Sequence, residues 1–182
     1  MERKTASGIL LTLLLIGALS LAFDIQPAKT EPTTKILVDP PDVTKNMGEI
    51  FSVRVNISDV TNLYGLEIQF WWDSTLLEYV SKSVRIPKNT YPDGVLWAPA
   101  MKVIDWVDKA AGTYRLVVAS LAPALSFSGT GTVFIMSFKV LREAACYLHF
   151  AYTVLADKAG NPIDSEAADG KFSTPGAGLA PF

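Results

Sequence analysis

The sequence predicts an all-β protein, an antiparallel sandwich built from eight or nine short strands. Beyond residue 30, apolar and polar residues alternate with a period of two almost everywhere, as on strands with one buried face. The alternating segments are short, and turns rich in Pro, Gly, Asn and Asp separate them. No segment shows the period of a long helix. Together these observations are typical of sandwiches and barrels.

The first segment, residues 1–30, is predicted to be a secretory signal that precedes the fold. A partly basic start leads into an uncharged apolar run of 16 residues, GILLTLLLIGALSLAF, from Gly8 to Phe23. A membrane-spanning helix needs about 20 residues, so this run suits a signal peptide, with an uncleaved anchor as the alternative. We therefore expect a secreted or extracellular protein, attached to the cell surface only if the segment is retained.

The remaining chain has the size of one domain. From residue 31 it carries 13 basic and 16 acidic residues, hence a net charge of −3, and no basic patch that would suit nucleic acid. Cys146 is the only cysteine, which excludes an internal disulfide and favours a small buried hydrophobe. A linker is predicted over residues 31–34, a β-sandwich over 35–173 and a flexible tail over 174–182.

The strands of the first half follow from strict alternation. A short strand over residues 35–38 is closed by two prolines, and IFSVRVNIS, residues 50–58, predicts a strand with one buried and one solvent-facing side. A long strand over 63–72 ends at the turn residues Asp73-Ser74. The next segment, STLLEYV, allows one helical turn.

The middle of the chain is less regular. Weaker strands are predicted over residues 83–86 and 103–107, on either side of a loop rich in Pro, Asn and Gly. Residues 113–121 are apolar on both faces, as in a central strand.

Two long strands, residues 133–141 and 146–155, each direct one row of large side chains toward the core. A tight turn at 157–162 and a closing edge strand at 170–173 complete the sandwich. The inward residues predicted for the two long strands are Phe134, Met136, Phe138, Val140, Leu148, Phe150, Tyr152 and Val154.

Catalytic chemistry is sparse. His149, the sole histidine, lies on a predicted strand, and no nucleophile motif surrounds any serine. Neither a zinc spacing nor a phosphate loop occurs, and DKAGNPID lacks the regular acidic ladder and terminal Glu of an EF-hand. Paired carboxylates could serve a glycosidase, but the sequence does not show which of them converge. The sequence thus predicts no enzyme, no cofactor and no metal.

One modification motif is present, the sequon Asn56-Ile57-Ser58. Asn56 has the polar parity of its strand, so it is expected to face solvent. In an exported protein it could accept a glycan.

Four stretches are similar, in the same order, to one known family. They are GEIFSVRVNISDVTNLYGLEIQFWWDSTLLEYV at residues 48–80, GTYRLVVASL at 112–121, GTGTVFIMSFKVL at 129–141 and LHFAYTVLADKAGNPI at 148–163. They resemble, respectively, the opening strands, the central strand, the "G.G.l..i.Fkv" strand and the last long strand with its turn in cohesin modules. The resemblance covers nearly the whole mature chain.

The resemblance implies a nine-stranded β-sandwich of jelly-roll topology and a non-catalytic binding function. Cohesins hold the dockerin modules of polysaccharide-degrading enzymes in cellulosomes, and they are structurally akin to some carbohydrate-binding modules. Here one such module follows the signal segment, without a dockerin-like duplicated calcium loop. A scaffold that gathers several enzymes is therefore not expected.

The resemblance also distinguishes Trp71 from Trp72, which cannot both face the core because neighbouring strand residues point to opposite sides. In cohesins the aromatic before the turn Asp belongs to the core, so Trp72 is expected to be buried and Trp71 to point outward. Ten core residues are expected to be buried together: Phe51, Val53, Val55, Ile68, Phe70, Trp72, Phe134, Phe138, Leu148 and Phe150.

The outward side of the strand before the turn is the face that receives dockerin in the family. It carries Glu67, Gln69 and Trp71, and Trp97 and Trp106 could extend it. Exposed tryptophans are enriched at binding hot spots, but rings in a row also stack on sugars. Three hypotheses remain open: docking of a dockerin-like protein, direct polysaccharide binding through the tryptophans, and a structural role in the cell envelope. Trp71 half-covered by a loop is the alternative to an exposed binding residue.

Overall fold

The computed structural model describes residues 33–177, and within this range the protein is all-β, which confirms the predicted fold class. The predicted signal segment lies outside the described residues. The strands are β1 Thr34–Asp39, β2 Asp42–Thr44, β3 Ile50–Leu63, β4 Gly65–Trp71, β5 Leu77–Val84, β6 Ala100–Asp108, β7 Thr113–Ser120, β8 Phe127–Val140, β9 Ala145–Ala156, β10 Pro162–Ile163, β11 Ser165–Ala168 and β12 Gly170–Ser173.

The strands form two sheets. The first has the order β11-β1-β3-β8-β5, and the second has the order β2-β12-β9-β4-β7-β6, with β10 paired to β9. All pairings are antiparallel except β1 with β11 and β12 with β2. Within residues 33–177 no helix is long and apolar enough to span a membrane.

The core lies between the sheets, and aromatic contacts cross it. The ring of Phe134 on β8 lies 5.8 Å from that of Phe70 on β4 and 5.0 Å from that of Tyr114 on β7. Phe51 on β3 stacks on Phe172 of β12 at 5.2 Å. All ten residues predicted for the core are buried in this one cluster.

Strand β9 departs from the predicted parity. Its register with β4 shifts between the pair Gln69–Tyr152 and the pair Phe70–Phe150, which leaves Ala151 as an extra residue. A bulge of this kind reverses the side chains that follow it. The prediction that Tyr152 and Val154 point inward is therefore wrong, and the buried residue beyond the bulge is Leu155.

Two other segments differ from the sequence interpretation. The helical turn allowed at STLLEYV is confined to its start, where the carbonyl of Asp73 accepts hydrogen bonds from the backbone N–H groups of Leu76 and Leu77 at 3.0 and 2.9 Å. From Leu77 the chain continues as β5. Strand β12 is not an edge strand, because β2 pairs with its outer side.

Candidate binding face

Four strands of the second sheet, in the order β6-β7-β4-β9, present a continuous solvent-facing side. Alternate residues of β4 are buried, so the residues between them point outward. The strand register aligns the outward positions in four rows, which we call the outer face: Asp108–Thr113–Trp71–His149, Trp106–Arg115–Gln69–Tyr152, Ile104–Val117–Glu67–Val154 and Met101–Ala119–Gly65–Ala156.

The two adjacent tryptophans lie on opposite sides of the sheet. Trp72 is 4% exposed, and its ring lies 5.2 Å from that of Phe138 in the first sheet. Trp71 is 50% exposed, which is too open for a ring enclosed beneath a loop. The prediction that Trp72 is buried and Trp71 outward is confirmed.

Glu67 and Gln69 lie on the outer face, and Glu67 is already paired. Its Oε1 accepts hydrogen bonds from Nε of Arg115 at 2.9 Å and from Nε2 of Gln69 at 3.5 Å, and Nη2 of Arg115 lies 2.8 Å away. The two opposite charges therefore cancel at the centre of the face. Arg115 was not among the predicted site residues, although it is the only charged residue in the segment 113–121.

Two further aromatic side chains are exposed on the outer face. Trp106 is 57% exposed and Tyr152 49% exposed. Trp106 and Tyr152 lie in the same row on β6 and β9, so their backbones are three strand spacings, or about 14 Å, apart. Trp71 lies in the neighbouring row on β4, about 8 Å from Tyr152 by the same spacings. The sequence analysis placed Tyr152 in the core, because alternation alone does not reveal the bulge at Ala151 that reverses the parity of β9.

Trp97 does not lie on the outer face with the exposed aromatic residues. It is half-buried in the loop between β5 and β6 and packs against the core. Its carbonyl accepts a hydrogen bond from the Ser120 hydroxyl at 3.0 Å, and the N–H of Ser120 bonds to the carbonyl of Tyr64. Tyr64 precedes β4 at the end opposite Trp71, about 23 Å away along an extended strand.

The edges of the outer face carry paired polar groups. Nδ1 of His149 lies 2.6 Å from Oδ2 of Asp169, whose other oxygen accepts the backbone N–H of Phe150 at 2.9 Å. At the other edge, Oδ1 of Asp108 accepts two backbone N–H groups of the following turn at 3.0 and 2.9 Å. These carboxylates are engaged in holding the backbone.

Asp105 lies on the inward side of β6, where it joins the edges of the two sheets. Its Oδ1 is 2.5 Å from Nζ of Lys82 on β5 and accepts the hydroxyl of Tyr114 at 2.8 Å, and Oδ2 is 3.1 Å from Nζ of Lys102. Burial disfavours its charged form, but these hydrogen bonds outweigh burial and lower the pKa of Asp105. Burial, together with Asp105, raises the pKa of Tyr114 far above its usual range.

The Cys146 thiol and the Asp157 carboxylate, two further groups considered for chemistry, have structural roles. Burial raises the pKa of the Cys146 thiol to about 11, which keeps it protonated at neutral pH. Asp157 closes its turn by accepting the N–H groups of Ala159 and Asn161, both at 2.8 Å, and hydrogen bonds from Asn161 lower its pKa. Within residues 33–177 no group of three or more His, Cys, Asp or Glu side chains could hold a metal ion.

The sequon residue Asn56 has the predicted outward parity on β3 but is partly buried between β1 and β8. Its Oδ1 accepts a hydrogen bond from the Thr132 hydroxyl at 2.9 Å. Its Nδ2, the atom that would carry a glycan, lies 3.5 Å from Oδ2 of Asp39.

Comparisons with known proteins agree with the resemblance in the sequence. A protein-family model, the cohesin domain, matches residues 36–173. No curated protein sequence matches the chain significantly.

Solved structures with the same fold include three cohesins. A non-cellulosomal cohesin from the hyperthermophilic archaeon Archaeoglobus fulgidus is 17% identical, with 78% of this chain and 91% of that chain covered, at a TM-score of 0.59. A type II cohesin domain from the cellulosome of Acetivibrio cellulolyticus is 20% identical, with coverages of 77% and 94%, at 0.57. A chain of a type I cohesin–dockerin complex from Clostridium thermocellum is 14% identical, with coverages of 78% and 99%, at 0.60.

Proposed function

Because the chain belongs to the cohesin domain family, we propose that it is a non-catalytic binding module that receives a dockerin-like protein on the outer face. The observation that carries this proposal is the exposure of Trp71, Trp106 and Tyr152 on one continuous sheet surface. Large rigid rings lose little conformational freedom when a partner covers them, and tryptophan and tyrosine are enriched at interface hot spots.

Two structures with this fold, from Clostridium thermocellum and Acetivibrio cellulolyticus, are complexes of cohesins with dockerins, which supports a protein partner. The Archaeoglobus fulgidus cohesin is described as non-cellulosomal. The fold therefore serves inside and outside cellulosomes. We propose docking at the cell exterior in association with polysaccharide breakdown.

Direct polysaccharide binding is a second candidate, and one observation favours it. The three exposed rings share the outer face with hydrogen-bonding side chains, among them Gln69. Aromatic rings interspersed with polar groups can hold a sugar chain by stacking and hydrogen bonding. The same residues serve both hypotheses, so binding measurements must separate them.

We also propose that the protein is exported, because residues 1–30 have the composition of a secretory signal. Amino-terminal sequencing of the protein recovered from the medium and from the cell surface tests this. A new N-terminus between residues 20 and 31 is expected. Recovery with an intact Met1 from the cytoplasm would contradict export.

The docking function is tested by titrating the protein with the dockerins of the Clostridium thermocellum and Acetivibrio cellulolyticus complexes, with dockerin-like proteins captured from the source's secreted fraction, and with soluble glucans and xylans. Trp71→Ala is expected to weaken binding by about 30-fold, as for a hot spot of 2 kcal/mol. Ile50→Ala, an exposed apolar change on the first sheet, is the matched control.

Loss of dockerin binding alone would favour protein docking, and loss of glycan binding alone would favour the carbohydrate candidate. If Trp71→Ala and Ile50→Ala had the same affinity as the unmodified protein, the outer face would not be the binding site.

A further inference from the structure

We propose that one end of the sandwich contacts a lipid bilayer through two uncharged loops. The loops are residues 97–101, WAPAM, which lead into β6, and residues 121–126, LAPALS, which connect β7 to β8. Together we call them the apolar end. This inference goes beyond the docking function, because it concerns a different ligand and requires no protein partner.

The two loops lie against each other. The backbone N–H of Leu121 donates to the carbonyl of Pro99 at 2.7 Å, and the Ser120 hydroxyl donates to the carbonyl of Trp97 at 3.0 Å. A turn follows in the second loop, closed by a hydrogen bond from the N–H of Ala124 to the carbonyl of Leu121 at 2.8 Å. The loops therefore form one surface, which adjoins the outer face at its last row.

Three large apolar side chains are exposed on the apolar end. Leu125 is 75% exposed, the highest value among the large hydrophobic residues of the range 33–177, and Met101 and Leu121 are 49% and 42% exposed. Exposed apolar side chains that are grouped in this way mark a surface that a partner or a membrane covers.

The chemistry of the loops favours lipid over protein. Neither loop contains a charged residue, which would be costly to place in a bilayer. Several backbone groups are satisfied without water: the N–H of Ala98 donates to a side-chain amide oxygen at 2.8 Å, Leu121 and Ala124 donate to carbonyls, and Pro99 and Pro123 have no N–H. A protein partner can supply acceptors to free N–H groups, whereas hydrocarbon cannot.

The chain that precedes the fold enters it at the same end. The Thr34 hydroxyl donates to the carbonyl of Asp59 at 3.3 Å, and the N–H of Asp59 donates to the hydroxyl of Thr130 on β8 at 3.2 Å. Strand β8 begins at Phe127, immediately after the second loop. The apolar run of the predicted signal ends at Phe23, and the ten residues that join it to Thr34 span at most about 35 Å.

This connection places lipid near the apolar end. The proposed export brings the apolar run into the membrane before any cleavage, and the end of the sandwich that follows it is then the part closest to the bilayer. The exposed leucines are the side chains that enter the lipid there.

The test uses the unit spanning residues 32–182, which lacks the apolar run and contains the entire core cluster. Flotation with vesicles of phosphatidylcholine, alone or mixed with phosphatidylglycerol, compares the unmodified unit with Leu125→Asp, Leu121→Asp and Met47→Asp. Met47 is the matched control because it is 62% exposed and precedes the start of β3, whereas the last residue of β3, Leu63, pairs with Phe127 beside the apolar end. Circular dichroism verifies that each variant is folded.

The unmodified unit and Met47→Asp should bind phosphatidylcholine vesicles equally. The two leucine variants should bind at least about tenfold more weakly, because a carboxylate replaces a side chain that enters the hydrocarbon. No flotation of the unmodified unit, equal flotation of all four forms, or flotation only with phosphatidylglycerol would overturn the proposal. Self-association of the unmodified unit that the leucine changes abolish, without lipid binding, would instead assign the apolar end to a second copy of this chain. The docking function stands apart from these outcomes, since it is measured with Trp71→Ala and a protein partner.

Discussion

Trp72 shows how one residue can connect the two sheets. It follows β4 of the second sheet, yet its ring contacts Phe138 of β8 at 5.2 Å and stacks near Tyr79 of β5 at 6.3 Å. Its indole Nε1 is the one buried side-chain nitrogen or oxygen among the described residues that lacks a hydrogen-bond partner. An unsatisfied buried donor costs about 1–3 kcal/mol, so ring packing must outweigh that loss.

Substitution of the two adjacent tryptophans should therefore lower the stability of the protein by very different amounts. Trp72→Ala removes a buried ring and leaves a cavity, so we expect the free energy of unfolding to fall by about 3–5 kcal/mol. Trp71→Ala acts on a half-exposed ring and should lower stability by about 1 kcal/mol or less. Denaturant melts of the two variants measure this. Equal destabilisation by both would contradict the assignment of Trp71 to the outer face.

At the scale of elements, β6 is an edge strand whose pairing with β7 is interrupted between Lys102 and Ile104. The Asp105 side chain gives it a second attachment, through Lys82, to the edge strand of the other sheet. Trp106, the next residue, points to the opposite side. The ion pair therefore supports the strand that carries one of the exposed rings.

The charge of Asp105 should contribute to stability in a pH-dependent way. Its pKa is lower in the folded state, so its contribution is present above the unfolded pKa of about 3.9 and is lost as the pH falls through the folded value. Asp105→Asn should lower the free energy of unfolding by about 1–3 kcal/mol at neutral pH, because Lys82 loses its counter-ion. The difference in free energy of unfolding between Asp105→Asn and the unmodified protein should become smaller below about pH 4.

Urea melts at several pH values measure this difference. Asp108→Asn, at the end of the same strand, is the matched control because Oδ1 of Asp108 accepts backbone N–H groups of the following turn. If the loss of unfolding free energy caused by Asp105→Asn stayed constant down to acidic pH, a role for the charge of Asp105 would be contradicted.

Gly170 at the start of β12 shows how closely the layers approach. A Cβ atom at this position would lie 2.7 Å from Cγ1 of Val38, a buried residue of β1 in the other sheet. Gly170→Ala should therefore destabilise the protein by about 1–3 kcal/mol through overpacking. Gly65→Ala, where the nearest atom would be 3.5 Å away, should change stability much less. Thermal melts compare the stabilities of the two variants. Equal destabilisation by Gly170→Ala and Gly65→Ala would contradict the close contact at Gly170.

Alternation was sufficient to predict the strands that build the core, because a period of two states directly which side is buried. It failed on β9, where the single extra residue Ala151 reverses the parity and brings Tyr152 to the outer face. It also missed the partner of Glu67, since the pairing with Arg115 depends on the register of two strands 48 residues apart in sequence. Trp97 lies in a loop, where periodicity gives no information about burial.

At the scale of the whole molecule, the core and the candidate site use opposite sides of the second sheet. The core cluster draws on residues 36–172, so the sandwich holds β4 and its neighbours rigidly from one side. The other side is free to carry exposed rings because it contributes little to folding. A rigid sheet that presents preorganised aromatic side chains is suited to recognition.

The protein is expected to hydrolyse neither glycosides nor peptides. A glycosidase needs one carboxylic acid whose pKa is raised so that it can donate a proton, whereas the pKa of Asp105 is lowered. The Glu67 carboxylate is held in an ion pair with Arg115. A cysteine nucleophile needs a thiolate, and burial raises the pKa of Cys146 to about 11. Incubation with glucans, xylans and casein should yield no new reducing ends or amino groups above a heat-denatured control. Turnover that disappeared in Asp105→Asn or Glu67→Gln, with the fold intact by circular dichroism, would show that one of these carboxylates is catalytic after all.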